Sequence, residues 1–123
     1  MSIFNKIFTA EGRLNRLRYL KYMIILALVM TAAKISTTAM ITLLTGEPTG
    51  SFVMAVTTML ALIAGAGNIM LIIRRLHDLD KSGWFTLLSF VPAVNIIFSI
   101  YLFFAPGTVG YNRFGADPLA EYN

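Results

Sequence analysis

The chain has 123 residues, of which 57% are hydrophobic and 13% are charged, and its formal net charge is +4. Soluble domains carry about 25% charged residues, so this composition indicates a protein that lies largely in lipid. The absence of cysteine excludes disulfides, a thiolate nucleophile and a cysteine-ligated metal site. The length suits one domain, and we predict a single membrane domain over residues 1–123.

The first residues predict a short amphipathic helix. Ile3, Phe4, Ile7 and Phe8 recur at helical spacing, and such a stripe can lie in the headgroup region of a membrane. The alternative is a disordered start that folds onto the bundle. No small-residue cleavage site follows, so we predict an uncleaved first span and not a signal peptide.

Three apolar runs are long enough to cross about 30 Å of hydrocarbon. They occupy residues 20–44, 52–73 and 84–104, and a tail covers residues 105–123. An open sheet cannot satisfy its edge amides in lipid, whereas helices satisfy theirs internally. The predicted fold class is therefore all-α, an integral membrane helical bundle with three transmembrane helices plus a short N-terminal interfacial helix.

The distribution of Lys and Arg predicts the orientation. The N-terminal segment and the loop 74–83 are rich in these residues, whereas the loop 45–51 contains none. We therefore expect the N-terminus and the loop 74–83 in the cytoplasm. With three spans, the tail is expected on the other side of the membrane.

Pro92 lies near the middle of the third apolar run, where its missing N–H group favours a kink. A full crossing is expected, because a re-entrant hairpin at residues 92–95 needs shielding by protein, and a small chain offers little. The hairpin is the alternative, and it would return the tail to the cytoplasm. The residues that could then converge are Arg74, His77, Asn112, Arg113 and Asp117.

Lys34, Asn68 and Asn95 are polar residues inside the three runs. A charge at such depth is a functional-site hypothesis by default, although Lys34 could also snorkel to the outer interface. Depths counted along the helices disfavour a hydrogen bond between Asn68 and Asn95 and favour one between Lys34 and Asn95. Ala61 and Gly65 form a small-xxx-small pair that predicts close contact with another helix.

The stretch RRLHDLDKSGW, residues 74–84, is the most charged part of the chain. One His with two Asp lacks the usual ligand set of a metal site, so neither a metal nor a cofactor is predicted. His77 and Asp78 are adjacent and would not face each other on a helix. No third group orients His77 towards Ser82, so no catalytic residue is predicted.

These patterns favour a non-enzymatic binding or interaction module at the cytoplasmic face. Its partner would be anionic membrane lipid, another membrane protein or a second copy of the chain, and no nucleic-acid partner is predicted. The candidate binding residues are Arg13, Arg16, Arg74, Arg75, His77 and Asp78. One alternative is a subunit of an oligomeric transporter or channel that uses Lys34, Asn68 and Asn95. The other is a lipid-directed enzyme with His77 as base.

Three motifs carry a family resemblance: EGRLNRLRYLKY (11–22), RRLHDLDKSGWF (74–85) and PGTVGYNRFGADP (106–118). In this order they resemble the YhaH-like family of small bacterial inner-membrane proteins, known as domain of unknown function 805. Leu20 and Phe85 stand where the family often has Trp. The resemblance implies a multi-pass protein of the bacterial inner membrane. It implies no reaction, because the family has none established.

Overall fold

The computed structural model describes residues 2–119, which form helices and irregular connections. The helices are α1 (Ile3–Ile7), α2 (Arg16–Thr45), α3 (Ser51–Asp78), a 3₁₀ helix (Gly83–Phe90) and α4 (Val94–Phe104). Within the described range the β-type pairing is limited to one isolated bridge between Asn112 and Gly115. The all-α prediction is confirmed, and residues 120–123 of the predicted tail lie outside the described residues.

α2 and α3 are long and apolar enough to cross a membrane. They contain 30 and 28 residues, which corresponds to lengths of about 45 and 42 Å. Only 11% of the most apolar window of each helix is buried inside the protein. A core helix of a soluble protein would be mostly buried, so these two helices have the surface expected of membrane spans.

Local sequence explains where α2 begins and ends. Asn15 is its N-cap, and the side-chain oxygen accepts a hydrogen bond from the N–H of Arg18 at 2.8 Å. Gly46 ends the helix with φ +75°, a left-handed conformation that glycine adopts without strain. The short connection that follows makes α2 and α3 antiparallel neighbours.

α1 packs against the two long helices. Ile7 is buried in the core, and a β-carbon at Gly67 would lie 3.1 Å from the ring of Phe8. The missing side chain of Gly67 therefore makes room for Phe8. Phe4 remains 57% exposed. The predicted short helix is present, and its apolar stripe is divided between the bundle and the exterior.

The third predicted span, residues 84–104, is not one continuous helix. The 3₁₀ helix ends at Phe90, the chain turns at Pro92 and Ala93, and α4 begins at Val94. Ala93 has φ +69°, a backbone conformation that no continuous helix contains. Eight residues at about 2.0 Å and eleven at about 1.5 Å make both limbs about 16 Å long. Each limb therefore reaches about half of a 30 Å hydrocarbon layer.

Both ends of this hairpin lie at the C-terminal end of α3. A β-carbon at Gly83 would lie 3.1 Å from Cγ2 of Ile73, and the carbonyl of Leu102 accepts from Nε of Arg75 at 2.7 Å. The structure thus has a hairpin at Pro92 and Ala93 in place of the expected continuous third span. The long helices cover the later part of α4, where Phe98 and Leu102 are buried in the common core, whereas residues 90–97 at the tip are exposed.

The hairpin brings the tail to the end of the bundle where α2 begins. We call this end the basic end and define it by residues 9–18, 74–83 and 105–119. The turn at residues 46–50 forms the opposite end.

Cysteines at Val109 and Glu47 are expected to report opposite sides of the membrane. The native chain has no cysteine, and both side chains are exposed, Val109 by 92%. If the basic end is cytoplasmic, as its Lys and Arg residues predict, an impermeant thiol reagent labels Glu47→Cys in intact cells. Val109→Cys should react only after lysis, and exposed Ser2→Cys is the control for the N-terminal side. Labelling of Val109→Cys from outside would contradict the hairpin.

Candidate functional site

A buried carboxylate, that of Asp78, joins two buried guanidinium groups at the basic end. Its Oδ1 accepts from Nε of Arg13 at 3.1 Å, and its Oδ2 accepts from Nη1 of Arg75 at 2.8 Å. The three side chains are exposed by 0–4%. Arg75 and Asp78 lie in the last turn of α3, whereas Arg13 precedes α2. The ion pairs therefore tie the start of α2 to the end of α3.

Each of these guanidinium groups also donates to three backbone carbonyls. Arg75 reaches the carbonyls of Leu14, Leu102 and Ala105. Arg13 reaches the carbonyls of Thr108, Gly110 and Gly115. Most of these carbonyls lie at the end of α4 or in the tail, where no helical N–H is available to them. The two arginines therefore hold the tail against the bundle.

The tail is also held around His77. The Nδ1 atom of His77 lies 3.0 Å from the carbonyl oxygen of Gly12, and its ring stacks on Phe114 with centroids 3.9 Å apart. Nδ2 of Asn112 donates to the carbonyl of His77 at 2.8 Å. Because a carbonyl only accepts, we assign the proton of the neutral ring to Nδ1. His77 thus packs between two backbone segments, and in the described chain no carboxylate orients it.

Arg113 and Asp117 make the outer contacts of the tail. Nε of Arg113 lies 3.3 Å from Oδ1 of Asp80, with both side chains about half exposed, so this pair contributes at most about 1 kcal/mol. Asp117 accepts from the N–H of Gly110 at 2.9 Å and of Leu119 at 3.0 Å. These bonds, that of Gly110 first, lower the pKa of Asp117 below its ordinary value. Asp117 therefore stabilises the loop as a carboxylate.

The six predicted binding residues divide by exposure. Arg13, Arg75 and Asp78 are buried and direct their polar atoms into the protein. Arg74 is half-buried, and its Nη1 donates to the carbonyl of Lys6. These four residues and His77 all bind partners within the protein. Arg16 is therefore the exposed cation among the six predicted binding residues.

Arg16 lies where two grooves meet. One groove, of about 470 Å³, has apolar walls from α2 and α4, formed by Leu17, Leu20, Phe103 and Phe104. The other, of about 260 Å³, lies between the start of α2 and the tail and includes Asn15, Asp78, Thr108 and Asp117. Arg16 lines both grooves. Its Nη1 donates to the carbonyl of Phe104 at 3.1 Å, which holds the guanidinium at this junction.

A family model described as "Protein of unknown function (DUF805)" matches residues 7–116. The chain belongs to this family. The matched range includes all three motifs almost completely, and in this DUF805 protein the motifs meet at the basic end. No solved structure matches the chain.

The chain is similar to two inner membrane proteins of Escherichia coli strain K12. Inner membrane protein YhaI is 50% identical over 48 residues, which are 39% of this chain and 41% of that protein. Inner membrane protein YhaH is 46% identical over 48 residues, which are 39% of this chain and 40% of that protein. The match thus spans about two fifths of each relative. The names of both relatives state a location and no activity, and the family to which this chain belongs is an uncharacterised family of inner membrane proteins.

The polar residues at membrane depth do not form one cluster in this DUF805 protein. Lys34 and Asn68 line the same groove between α2 and α3. Asn95 lies on α4, where its Oδ1 accepts from the hydroxyl of Ser99 at 3.2 Å. In the described part of the chain, the expected hydrogen bond between Lys34 and Asn95 is not formed.

Helix pairing explains this difference. The rings of Phe103 on α4 and Tyr19 on α2 have centroids 5.1 Å apart. Asn95 is about 12 Å from Phe103 along α4, whereas Lys34 is about 22 Å from Tyr19 along α2. The two residues are therefore at different levels, because α4 accompanies only the first half of α2.

Sequence reasoning missed Gly107, which is essential to the geometry of the site. A β-carbon at Gly107 would lie 2.6 Å from Cγ of Asp78. The Pro-Gly pair at 106–107 is a turn signal, but nothing in the sequence indicates which side chain approaches it. Within residues 2–119 there is also no group of three His, Asp or Glu residues that could hold a metal ion.

Proposed function

We propose that this protein is a non-catalytic module that binds anionic phospholipid at the basic end of its bundle, on the cytoplasmic face. The observation that carries the proposal is the position of Arg16 between an apolar and a polar groove. An amphiphile has an apolar chain and a polar head, so the two grooves match its two parts.

The charge of the basic end favours an anionic partner. Nine of the ten Lys and Arg residues lie in or beside its segments, and the exposed ones include Lys6, Arg16, Lys21, Lys81 and Arg113. Each basic residue near an anionic membrane surface contributes about 1 kcal/mol of attraction. This attraction is general, and it concentrates anionic lipid around the bundle without selecting a site.

Arg16 adds a local contact to this general attraction. One nitrogen of its guanidinium donates to the carbonyl of Phe104, and within the described residues no further bond engages it. A guanidinium binds phosphate through two parallel hydrogen bonds, which a lysine ammonium cannot do. The nearby carboxylates repel an anionic headgroup less than free carboxylates would. Asp78 is paired with two arginines, and Asp117 accepts hydrogen bonds from two backbone N–H groups.

The apolar groove beside Arg16 explains why the ligand would be a lipid. Its walls are the side chains of Leu17, Leu20, Phe103 and Phe104, which offer no polar group to a soluble ligand. An acyl chain in this groove buries apolar surface, while the phosphate remains within reach of Arg16. We therefore expect the phosphate to lie at the junction and the glycerol part to lie towards the tail.

Arg16→Gln is expected to weaken the binding of phosphatidylglycerol about tenfold, since a charge-assisted hydrogen bond contributes roughly 1.5–3 kcal/mol. Native mass spectrometry of the full chain in a neutral detergent measures this, with phosphatidylcholine as the reference lipid. Lys21→Gln removes the same charge from an exposed position of α2 that does not line the two grooves. It should change the affinity less than about twofold, because only the long-range attraction is lost.

Equal losses in the two variants would mean that the basic end attracts lipid only through its total charge. Phosphatidylcholine bound as tightly as phosphatidylglycerol would contradict recognition of the anionic head.

A transporter or channel subunit is the second proposal that the intramembrane polar residues raised. It has less support, because Asn95 lies on α4 and does not line the groove that Lys34 and Asn68 share. The shared position of Lys34 and Asn68 in one groove fits a binding site better than a transport pathway.

A further inference from the structure

The two long helices enclose a groove that the proposed phospholipid site does not use. It has a volume of about 440 Å³. Its lining residues recur every three or four positions and include Ala27, Met30 and Lys34 on α2 and Ala61, Ala64 and Asn68 on α3. That spacing keeps one face of each helix towards the groove. From the level of Met23 to that of Lys34 the groove is about 16 Å long.

The polar groups lie at the two ends of this groove. Because α2 and α3 are antiparallel, Lys34 and Thr31 on α2 lie at the same end as Thr57 on α3. Asn68 lies at the end nearer the basic end. Alanine, leucine and methionine side chains line the part between, so the middle of the groove is apolar.

Lys34 has no carboxylate partner among residues 2–119. The acidic residues of that range lie in the turn or at the basic end, and they are Glu11, Glu47, Asp78, Asp80 and Asp117. Glu47, the acidic residue on the near side, is about 20 Å from Lys34 along the helix axis. The ammonium therefore lies in an apolar layer without a counter-ion from its own chain, which is a costly arrangement.

The depth of Lys34 argues against a simple anchoring role. It lies about 20 Å from Lys21 along α2, which places it about 10 Å inside the far boundary of a 30 Å hydrocarbon layer. Side chains of a helix tilt towards its N-terminus, so Lys34 leans towards the middle of the membrane. Snorkelling to the nearer interface requires the opposite direction.

We propose that this groove binds a single-chain amphiphile with an anionic head, a carboxylate or a phosphate. The head lies at Lys34, and the chain runs along the apolar middle towards Asn68. An anion is the partner that stabilises a cation most in a medium of low dielectric constant. The volume is near the lower limit of the range of about 300–1,000 Å³ for small-molecule sites, so it suits one acyl chain and not the two of a phospholipid.

The first test is equilibrium binding of radiolabelled oleate to the full-length protein in phosphatidylcholine nanodiscs. Lys34→Met should lower the affinity at least about tenfold, because it removes the cation from a site of low dielectric constant. Lys34→Arg keeps the charge and should stay within about threefold of the wild type. Lys21→Met removes a lysine from the same helix outside the groove and should bind like the wild type.

Two measurements show whether a loss of oleate binding in Lys34→Met results from misfolding. Lys34→Met removes a charge from membrane depth, so its melting temperature should equal or exceed that of the wild type. Ala64→Phe keeps Lys34 but fills the apolar middle, and it should also lower oleate binding. Unchanged oleate binding in Lys34→Met would overturn the proposal.

Competitors identify the head that the groove recognises. Unlabelled oleate and hexadecyl phosphate should both displace the probe. The competitor that displaces it at the lower concentration shows whether the groove prefers a carboxylate or a phosphate head. Oleyl alcohol has a similar chain without the charge and should not compete. Competition by oleyl alcohol equal to that by oleate would overturn the proposal. A dimer that requires Lys34 and excludes oleate would overturn it as well, because the groove would then belong to a second copy.

Discussion

Asp78→Asn is expected to destabilise the protein by about 3–5 kcal/mol, the cost of leaving buried charges without their counter-charge. Asp78 is the carboxylate shared by the buried guanidinium groups of Arg13 and Arg75. Asparagine keeps the shape and one acceptor oxygen, so the loss reports the missing charge. Thermal unfolding in mild detergent, followed by far-ultraviolet circular dichroism, measures the effect.

Asp80→Asn is the matched control, because Asp80 is two residues further along and pairs with Arg113 at the surface. An exposed pair contributes about 0–1 kcal/mol, so this variant should melt close to the wild type. Similar melting temperatures for the two variants would contradict the idea that the buried ion pairs hold the tail to the bundle.

Gly107→Ala is expected to have the second largest effect, a loss of about 3 kcal/mol, the upper part of the range for overpacking. The new β-carbon would lie 2.6 Å from Cγ and 3.0 Å from Oδ1 of Asp78. Asp78 cannot move away cheaply, because both of its oxygens are held by arginines. The tail must therefore shift, and its bonds to Arg13 weaken. The melting temperature in mild detergent checks this.

Gly65→Ala is the control for a glycine substitution in the same chain. Nothing lies within 4 Å of a β-carbon at Gly65, which is inside α3. Alanine is the better helix former by about 1 kcal/mol, so this variant should melt at or above the wild-type temperature. A Gly107→Ala protein as stable as Gly65→Ala would mean that the tail does not pack closely on Asp78.

These expectations give the three sequence motifs of the DUF805 chain one structural explanation. The first motif supplies Arg13 and the carbonyl of Gly12, the second supplies Arg75, His77 and Asp78, and the third supplies the tail carbonyls, Gly107 and Phe114. Most of these groups bind each other. The motifs therefore build the basic end, and Arg16 is the exposed residue among the six predicted binding residues.

The sequence alone determined the class of the protein and the position of its long helices. For α2 and α3 an apolar run of more than 20 residues is enough to predict a membrane helix, because each helix satisfies its own backbone. The family resemblance likewise follows from short local motifs. The N-cap role of Ser82 and the end of α4 before Pro106 also follow from local residue types.

Only the tertiary structure decided whether the run containing Pro92 forms one continuous helix or a hairpin. Hydropathy is a sum over neighbouring residues, and both outcomes have the same sum. The choice depends on contacts between distant residues, such as Arg75 with the carbonyl of Leu102 and Arg13 with that of Thr108. The same holds for Lys34, whose neighbour across the groove is set by the pairing of α2 with α3 and not by depth counted along separate helices.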